Sequence, residues 1–286
     1  MKVTAILTTF NRRDQTLECL ARLSCSAQHA QVQLKIVLVD DASTDGTADS
    51  VRMGFPEATV MSGSGDLYWC RGMYLGLVAA MQVRTDYLLW LNDDTQLHQD
   101  ALQRMLRESL QLQGQFGRPV IMVGATGDSD GRLTYGGAVE RWCWRRLSYR
   151  QVWDAQMPTR CEVMNGNCVL VPWAVAKALG NVDRAYEHAM GDTDYALRAG
   201  RAGYQIFVAS GFAGYCSSNS LLGTYQDNSL TVAERWRRML DRKGLPWRSW
   251  LRFTQRHGGF LWPIYFVWPY VKMACLSLPS IGRRGI

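Results

Sequence analysis

The sequence predicts an α/β fold: a mostly parallel sheet flanked by helices, followed by a helical extension rich in basic and aromatic side chains. Three observations predict it. Apolar runs of strand length alternate with helical periodicities through the first half, the pattern of a parallel sheet with both faces covered. Three of the first four such runs end in the most polar clusters of that half, Thr8-Thr9-Phe10-Asn11, Asp40-Asp41 and Asn92-Asp93-Asp94. In open α/β sheets ligands bind beyond the carboxyl ends of the strands, so these clusters locate a site. From about Leu221 the sheet-like pattern stops.

Residues 3–7 form a first apolar run, too short for a helix, and Leu17, Leu20 and Leu23 then share one helical face. Residues 34–39 read as a second buried strand, and Ser43, Thr44 and Asp45 offer cap oxygens to a short helix through Val51. A weak third strand at 59–61 and a glycine loop at 63–65 precede a helix over 71–83. A strand at 87–91, a helix at 99–112 and a strand at 120–123 follow. The stretch 127–150, rich in Gly, Arg and Trp, reads as loop with a hairpin. Residues 163–171 are strand-like around Asn165-Gly166-Asn167, and a helix at 173–179 is closed by Gly180. A helix at 192–201 and a strand at 206–209 complete this part, with no internal repeat. The expected domains are 1–229, carrying the chemistry, and a helical extension, 230–286.

Of 286 residues, 47% are hydrophobic and 20% charged, enough to bury a core and too apolar for a disordered chain. The longest apolar run, residues 260–271, is interrupted by Pro263 and Pro269 and is shorter than the roughly 18–20 residues of a spanning helix. With no leader-like start either, the expectation is a cytoplasmic protein. The net charge of +7 is all in the tail: after Asp241 there is no acidic residue but eight Lys and Arg, leaving −1 for the rest. Such a tail suits an anionic surface, lipid or nucleic acid. The eight cysteines (Cys19, Cys25, Cys70, Cys143, Cys161, Cys168, Cys216, Cys275) show no CxxC and no metal spacing, so they read as reduced thiols, mostly core.

Asn92-Asp93-Asp94 can serve a hard cation, because a cation shared with a diphosphate needs only one or two protein carboxylates. A helix cap with first-turn acids would account for the same pair. Asp40-Asp41 carries the same ambiguity, being good turn chemistry. The order of motifs is more specific. An apolar strand ends in Thr-Thr-Phe-Asn-Arg, a second in Asp-Asp-Ala-Ser-Thr-Asp-Gly-Thr, an Arg-Gly pair stands at 71–72, and a strand ends in Leu-Asn-Asp-Asp. This combination, from Lys2 to about Asn219, resembles the family 2 glycosyltransferases of the GT-A fold.

The resemblance implies an inverting transferase that moves a sugar from a nucleoside-diphosphate sugar with the help of Mn²⁺ or Mg²⁺. It places Thr8, Thr9, Phe10, Asn11, Arg12 and Asp41 beside the nucleoside, with Asp41 accepting a ring N–H. A carboxylate there favours an imide-bearing base, so UDP and dTDP sugars lead. Arg71 matches the basic residue near the diphosphate, Asn92 and Asp93 line the nucleotide-sugar, and Asp94 is the metal ligand. Asp192 matches the catalytic carboxylate in Gly191-Asp192-Thr193-Asp194, with Gly191 where relatives usually have Glu. Asp192 could instead be only a helix cap, leaving Asp194 or Glu187 as the base. Asn165, Gly166, Asn167, His188, Gly191 and Asp194 are expected around the sugar and acceptor. The 214–219 segment lies where many relatives place a third metal or phosphate ligand, often His, which this chain lacks. Tyr68 and Trp69 could stack on a sugar or belong to the core. The 65–69 and 191–195 segments look like the branch of rhamnosyltransferases and O-antigen enzymes, implying dTDP-rhamnose and cell-surface polysaccharide.

In the tail, Arg235, Trp236, Arg238, Met239 and Arg242 give a basic helix face, and further aromatics interleave with arginines. That is the composition of a helix lying in a bilayer interface, so a peripheral contact with the inner membrane leaflet and a glycan or lipid-linked acceptor are expected. The same residues could pack a helical subdomain. Two other classes compete. A nucleotidyltransferase would want a glycine-rich loop after the first strand, where this chain has Thr8-Thr9-Phe10-Asn11. A nucleic-acid-binding protein using the tail leaves the strand-end carboxylates unexplained. The enzyme reading accounts for most, with no nucleic-acid partner.

Overall fold

A computed structural model describes residues 1–142 and 145–277. The first half runs β1 (Lys2–Thr9), α1 (Arg13–His29), β2 (Gln33–Asp40), α2 (Thr47–Gly54), β3 (Thr59–Ser62), α3 (Tyr68–Ala80), β4 (Tyr87–Leu91), β5 (Gln96–Leu97), α4 (Ala101–Phe116) and β6 (Val120–Gly127). The middle adds β7 (Leu133–Tyr135), β8 (Gly137–Trp142), β9 (Arg145–Val152), β10 (Thr159–Cys161), β11 (Val163–Met164), β12 (Cys168–Pro172), α5 (Trp173–Leu179), α6 (Gly191–Arg201) and β13 (Gln205–Tyr215). The last part is helical, with α7 (Val232–Leu240), α8 (Trp247–His257), a 3₁₀ turn (Gly259–Leu261) and α9 (Trp262–Ser277).

The main sheet has the order β10-β13-β6-β12-β4-β1-β2-β3, with β5 and β7 appended to β13 and β6. β3, β2, β1 and β4 run parallel, and the register sets Thr8 beside Val39 and Thr9 beside Asp40, so their carboxyl ends form one rim. β12 lies between β4 and β6, antiparallel to both. Its first residue, Cys168, therefore pairs with Leu91, the last of β4, and the turn before it reaches the same rim.

The single strand expected at 163–171 is two. β11 joins β8 and β9 in a separate three-stranded sheet, and β12 enters the main one. The turn at Asn165-Gly166-Asn167 switches the chain between them. The hairpin expected within 127–150 is β8 and β9, whose connection, including Cys143, lies outside the described residues.

Residues of β4 alternate. Leu89 and Leu91 join Leu7, Leu20, Leu23, Leu102 and Met105 in a core between the sheet and helices α1 and α4. Trp90 points to the other face, edge-on to Tyr195 of α6 at 4.8 Å and to Trp69 of α3 at 6.4 Å. Each such large apolar side chain contributes about 1.5–3 kcal/mol on burial. α3 lies close on β1 because two of its residues have no side chain. A Cβ on Gly72 would stand 2.3 Å from Thr8 Oγ1, and one on Gly76 2.5 Å from Ile6 Cγ2.

The chain forms two compact units, 1–187 with 191–218, and 188–190 with 219–286. In the second, Thr231 and Glu234 form a reciprocal capping box that starts α7. α8 packs on α9: Trp250 Nε1 donates to the Phe266 carbonyl (3.1 Å), and the Tyr270 hydroxyl to the Leu245 carbonyl (3.0 Å). α9 continues through Pro269, which removes one N–H donor without ending the helix. No helix among the described residues is long and apolar enough to cross a membrane. The seven cysteines among the described residues are free thiols, five of them buried.

Candidate active site

The site is built where β1, β2 and β4 end. After β1 the chain turns at Asn11, whose positive φ of 51° is among the few a non-glycine tolerates, Asn being favoured there. The turn is held by the loop after β2. Ser43 Oγ accepts from the Asn11 N–H (2.8 Å), Asn11 Oδ1 accepts from the Thr44 N–H (2.7 Å), and Asp45 Oδ2 accepts from the Arg13 N–H (2.9 Å). Of the expected cap oxygens of α2, Asp45 Oδ1 does accept from the Thr47 N–H (3.1 Å), while Ser43 Oγ and Asp45 Oδ2 serve the other strand's turn and the first turn of α1. α2 itself starts from Gly46 at φ 81°, with no side-chain cap bond from that residue. Phe10 stands half-exposed on this turn, while Thr9 is buried and bonded to Thr16 (2.9 Å).

Asp41 is buried and organises the loop that opens α3. Its Oδ1 accepts from the Gly65 N–H (2.7 Å) and its Oδ2 from the N–H groups of Leu67 (2.8 Å) and Tyr68 (3.3 Å). A carboxylate accepts about four hydrogen bonds, so three are taken and Oδ1 keeps room for one more donor. Tyr68 enters α3 at φ 56°, which explains why the helix begins there and not at Arg71: a tertiary carboxylate captures the first N–H groups. Arg71 is ion-paired with Glu187, Nη2 to Oε1 at 3.0 Å.

At the end of β4, Asp93 and Asp94 share one guanidinium. Arg12 Nη1 lies 3.0 Å from Asp93 Oδ1 and 2.8 Å from Asp94 Oδ2. Burial raises the Asp93 pKa above the usual carboxylate range, with Arg12 opposing it. Asp94 is more open. Its other oxygen, Oδ1, accepts from the Cys216 thiol at 3.6 Å.

That thiol ends a polar chain under the rim. Trp69 Nε1 donates to Asn92 Oδ1 (2.7 Å), Asn92 Nδ2 to Asn167 Oδ1 (2.8 Å), and Asn167 Nδ2 to Cys216 Sγ (3.3 Å). Both ends of Asn92 are therefore engaged inside the protein. Burial pushes the Cys216 thiol up to about 12, so it is a neutral donor at physiological pH. Cys216 and Trp69 belong to the site more intimately than sequence reasoning indicated. The 214–219 segment has no His but places a thiol, Cys216, against Asp94.

Asp192 stands at the start of α6 and reaches the 165–167 turn: Oδ2 accepts from the Gly166 N–H (2.9 Å), Oδ1 from the Thr193 N–H (2.7 Å). Burial is the main cause raising its pKa, and those N–H groups oppose it. Its neighbours explain two glycines. A Cβ on Gly166 would stand 2.2 Å from the Trp69 ring, and one on Gly191 2.3 Å from Cys70 Sγ, which leaves no space for a glutamate at 191. Asn165 Oδ1 accepts from the Asn167 N–H (3.1 Å) and shapes this turn. Asp194, expected beside the acceptor, has no exposed surface. It holds the Tyr186 hydroxyl (3.2 Å) and Arg198 Nε (2.9 Å) as a structural ion pair. His188 falls in the second compact unit.

The donor set suits a hard cation only if a ligand completes it. Asp94 and the buried Asp93 already stabilise one cationic group, the guanidinium. Among the described residues no group of three or more His, Cys, Asp or Glu could hold a metal alone. A divalent ion there would draw its remaining oxygens from diphosphate and water, as Mg²⁺ and Mn²⁺ sites in phosphate chemistry commonly do.

Residues 4–135 match the family model described as glycosyl transferase family 2. Among solved structures, the chain is similar to the Pyrobaculum calidifontis mannosyltransferase PcManGT in complex with GDP-Man and Mn²⁺, with 15% identity and a TM-score of 0.58 over 99% of this chain and 76% of that one. It is also similar to Staphylococcus aureus TarS, at 16% identity and a TM-score of 0.53 over 91% of this chain and 44% of TarS. With TarS residues 1–349 the values are 15%, 0.54, 99% and 76%. No curated protein matches the sequence. The chain has the Rossmann-like GT-A fold, with helices beyond its core sheet.

Proposed function

We propose that this protein is an inverting, metal-dependent glycosyltransferase (EC 2.4) that takes a sugar from a UDP- or dTDP-linked donor to a glycan or lipid-linked acceptor. The observation that carries this reading is the convergence of three strand ends on one rim, where Arg12 bridges Asp93 and Asp94 and Asp41 gathers the loop that opens α3. The family match over residues 4–135, which hold the ends of β1, β2 and β4, and the fold shared with a GDP-Man- and Mn²⁺-bound transferase, support it.

The nucleoside would lie against Thr8, Phe10 and Asn11, with the free acceptor position on Asp41 Oδ1 taking a ring N–H. Asp94, backed by Asp93, would hold Mn²⁺ or Mg²⁺, which when bound sets positive charge against the diphosphate. Arg12 and Arg71 would pair phosphate oxygens with guanidinium N–H groups. Asp192 accepts the proton of the attacking acceptor hydroxyl as that oxygen bonds to the anomeric carbon. The bond from that carbon to the β-phosphate oxygen breaks on the opposite face, and the nucleoside diphosphate leaves with its electron pair. The raised pKa of Asp192 makes it a stronger proton acceptor than an ordinary carboxylate. A rhamnose donor and a role in O-antigen or other cell-surface polysaccharide are the narrower form of the proposal, resting on the 65–69 and 191–195 segments.

The second unit fits a peripheral place on the cytoplasmic membrane face. α9 and the turn before it expose Phe260, Ile264, Trp268 and Val271 at helical spacing, and Arg248 and Arg252 of α8 are exposed.

Calorimetric titration with UDP, dTDP, GDP and NAD, each with and without Mn²⁺, tests the donor site. One nucleoside diphosphate should bind in a metal-dependent manner, and Asp94→Ala should remove that dependence. Failure of every nucleotide to bind, with and without metal, would overturn the reading.

A further inference from the structure

Asp94 offers its two oxygens to two partners, and they differ in how easily they can leave. Oδ1 faces the Cys216 thiol, itself buried and bonded to Asn167 at the end of the chain that starts at Trp69. Oδ2 faces Arg12, whose side chain is 43% exposed and sits on the surface turn after β1. A single Arg12 nitrogen bridges Asp94 and the buried Asp93, whose side chain is only 7% exposed. The guanidinium therefore bonds both carboxylates and compensates one of their two negative charges. A divalent cation approaching Asp94 meets a carboxylate already paired with a cation.

We propose that Arg12 is an internal counter-ion that holds the metal position closed until a diphosphate arrives. The inference rests on the donor-site reading above and adds an order to it. A diphosphate carries several oxygens suited to a guanidinium fork and more charge than the Asp pair leaves uncompensated. When it enters, Arg12 moves from Oδ2 to the phosphate, and Asp94 is freed for the ion that the same phosphate helps to ligate. Metal and nucleotide then bind with positive coupling, each raising the other's affinity by the same factor. Cys216 stays in place and keeps Asp94 aimed. Nothing covalent changes; one ion pair is exchanged for another.

The test measures Mn²⁺ binding by loss of the free-ion paramagnetic resonance signal, in wild type, Arg12→Gln, Arg12→Lys and Cys216→Ser, alone and with saturating UDP or dTDP. Wild type should bind Mn²⁺ poorly alone and much more tightly with the nucleotide. Arg12→Gln should bind Mn²⁺ alone about tenfold tighter than wild type, and the nucleotide's enhancement should shrink by a similar factor. The same variant should bind the nucleotide without metal more weakly, since it lacks the phosphate partner. Arg12→Lys, a point charge that bridges two carboxylates less well, should fall between, and serves if Arg12→Gln proves unstable. Cys216→Ser should keep the coupling. Equal or weaker Mn²⁺ binding by Arg12→Gln and Arg12→Lys, with wild type still binding nucleotide and metal together, would overturn the counter-ion role alone. Absence of nucleotide and Mn²⁺ binding in every variant would overturn the donor site and the counter-ion with it.

Discussion

At the scale of single residues, Asp192 has one requirement placed on it by the proposed chemistry and another by the fold. It must accept a proton, and it fixes the 165–167 turn through the Gly166 N–H. Asp192→Asn should therefore leave nucleotide binding intact while lowering transfer about 10²–10⁴-fold, the usual worth of a general base; titration with the nucleotide and a turnover assay separate the two. The pH dependence follows from its raised pKa. A base works ionised, so kcat/KM should fall as pH drops through the raised value. The acid limb then lies above the roughly 3.9 of an ordinary aspartate, and Asp192→Asn should abolish it. Gly166→Ala is expected to destabilise by about 1–3 kcal/mol, because the added Cβ meets the Trp69 ring and overpacked sites cost that much. A thermal melt reads it directly, and a melt unchanged from wild type would mean that the ring moves freely.

At the scale of elements, the close approach of α3 to β1 sets the rim's depth. Gly76→Val would drive a side chain into Ile6 and Val39, push α3 off the sheet and displace the loop that Asp41 gathers. Its expected signature is a lower melting temperature together with weakened nucleotide binding. Much of this layer was legible in the sequence. Apolar runs ending in Thr8-Thr9, Asp40-Asp41 and Asn92-Asp93-Asp94 announce strands whose carboxyl ends gather polar side chains at one rim of the sheet. What stayed hidden is tertiary. Asn92 looks like a ligand contact in the sequence, but its amide is held between Trp69 and Asn167, residues distant along the chain. Asp194 reads as a second carboxylate of a motif, yet helical geometry turns it inward onto Arg198, four positions later. Ser43 reads as a cap of the next helix, while its oxygen holds the Asn11 N–H; Asp45 does cap that helix through the Thr47 N–H, and its second oxygen also holds the Arg13 N–H.

At the scale of the whole molecule, the charge separation seen in the composition maps onto the two units. The strand-rich unit carries the rim carboxylates, and the helical one carries the excess positive charge. If the second unit docks on anionic lipid through its exposed apolar stripe, Ile264→Ser with Trp268→Ser should reduce partition to phosphatidylserine vesicles about tenfold or more. Nucleotide binding by the first unit should be unaffected in that variant. Vesicle flotation and calorimetry give the two answers separately, and unchanged flotation would remove the lipid role. The arginines Arg283 and Arg284, which add to the tail's charge, lie outside the described residues.

The antiparallel strand in the middle of the sheet also bears on how the molecule is made. β12 separates β4 from β6, so residues 87–91 and 120–123 do not become neighbours through each other but wait for 168–172. During synthesis the β3-β2-β1-β4 block can assemble from contiguous chain, with one edge of β4 unpaired. That edge is open until about eighty further residues have been added, and such non-local pairings form slowly. The strand that closes this gap also delivers the turn that Asp192 later meets, so one segment joins the two halves of the sheet and shapes the rim.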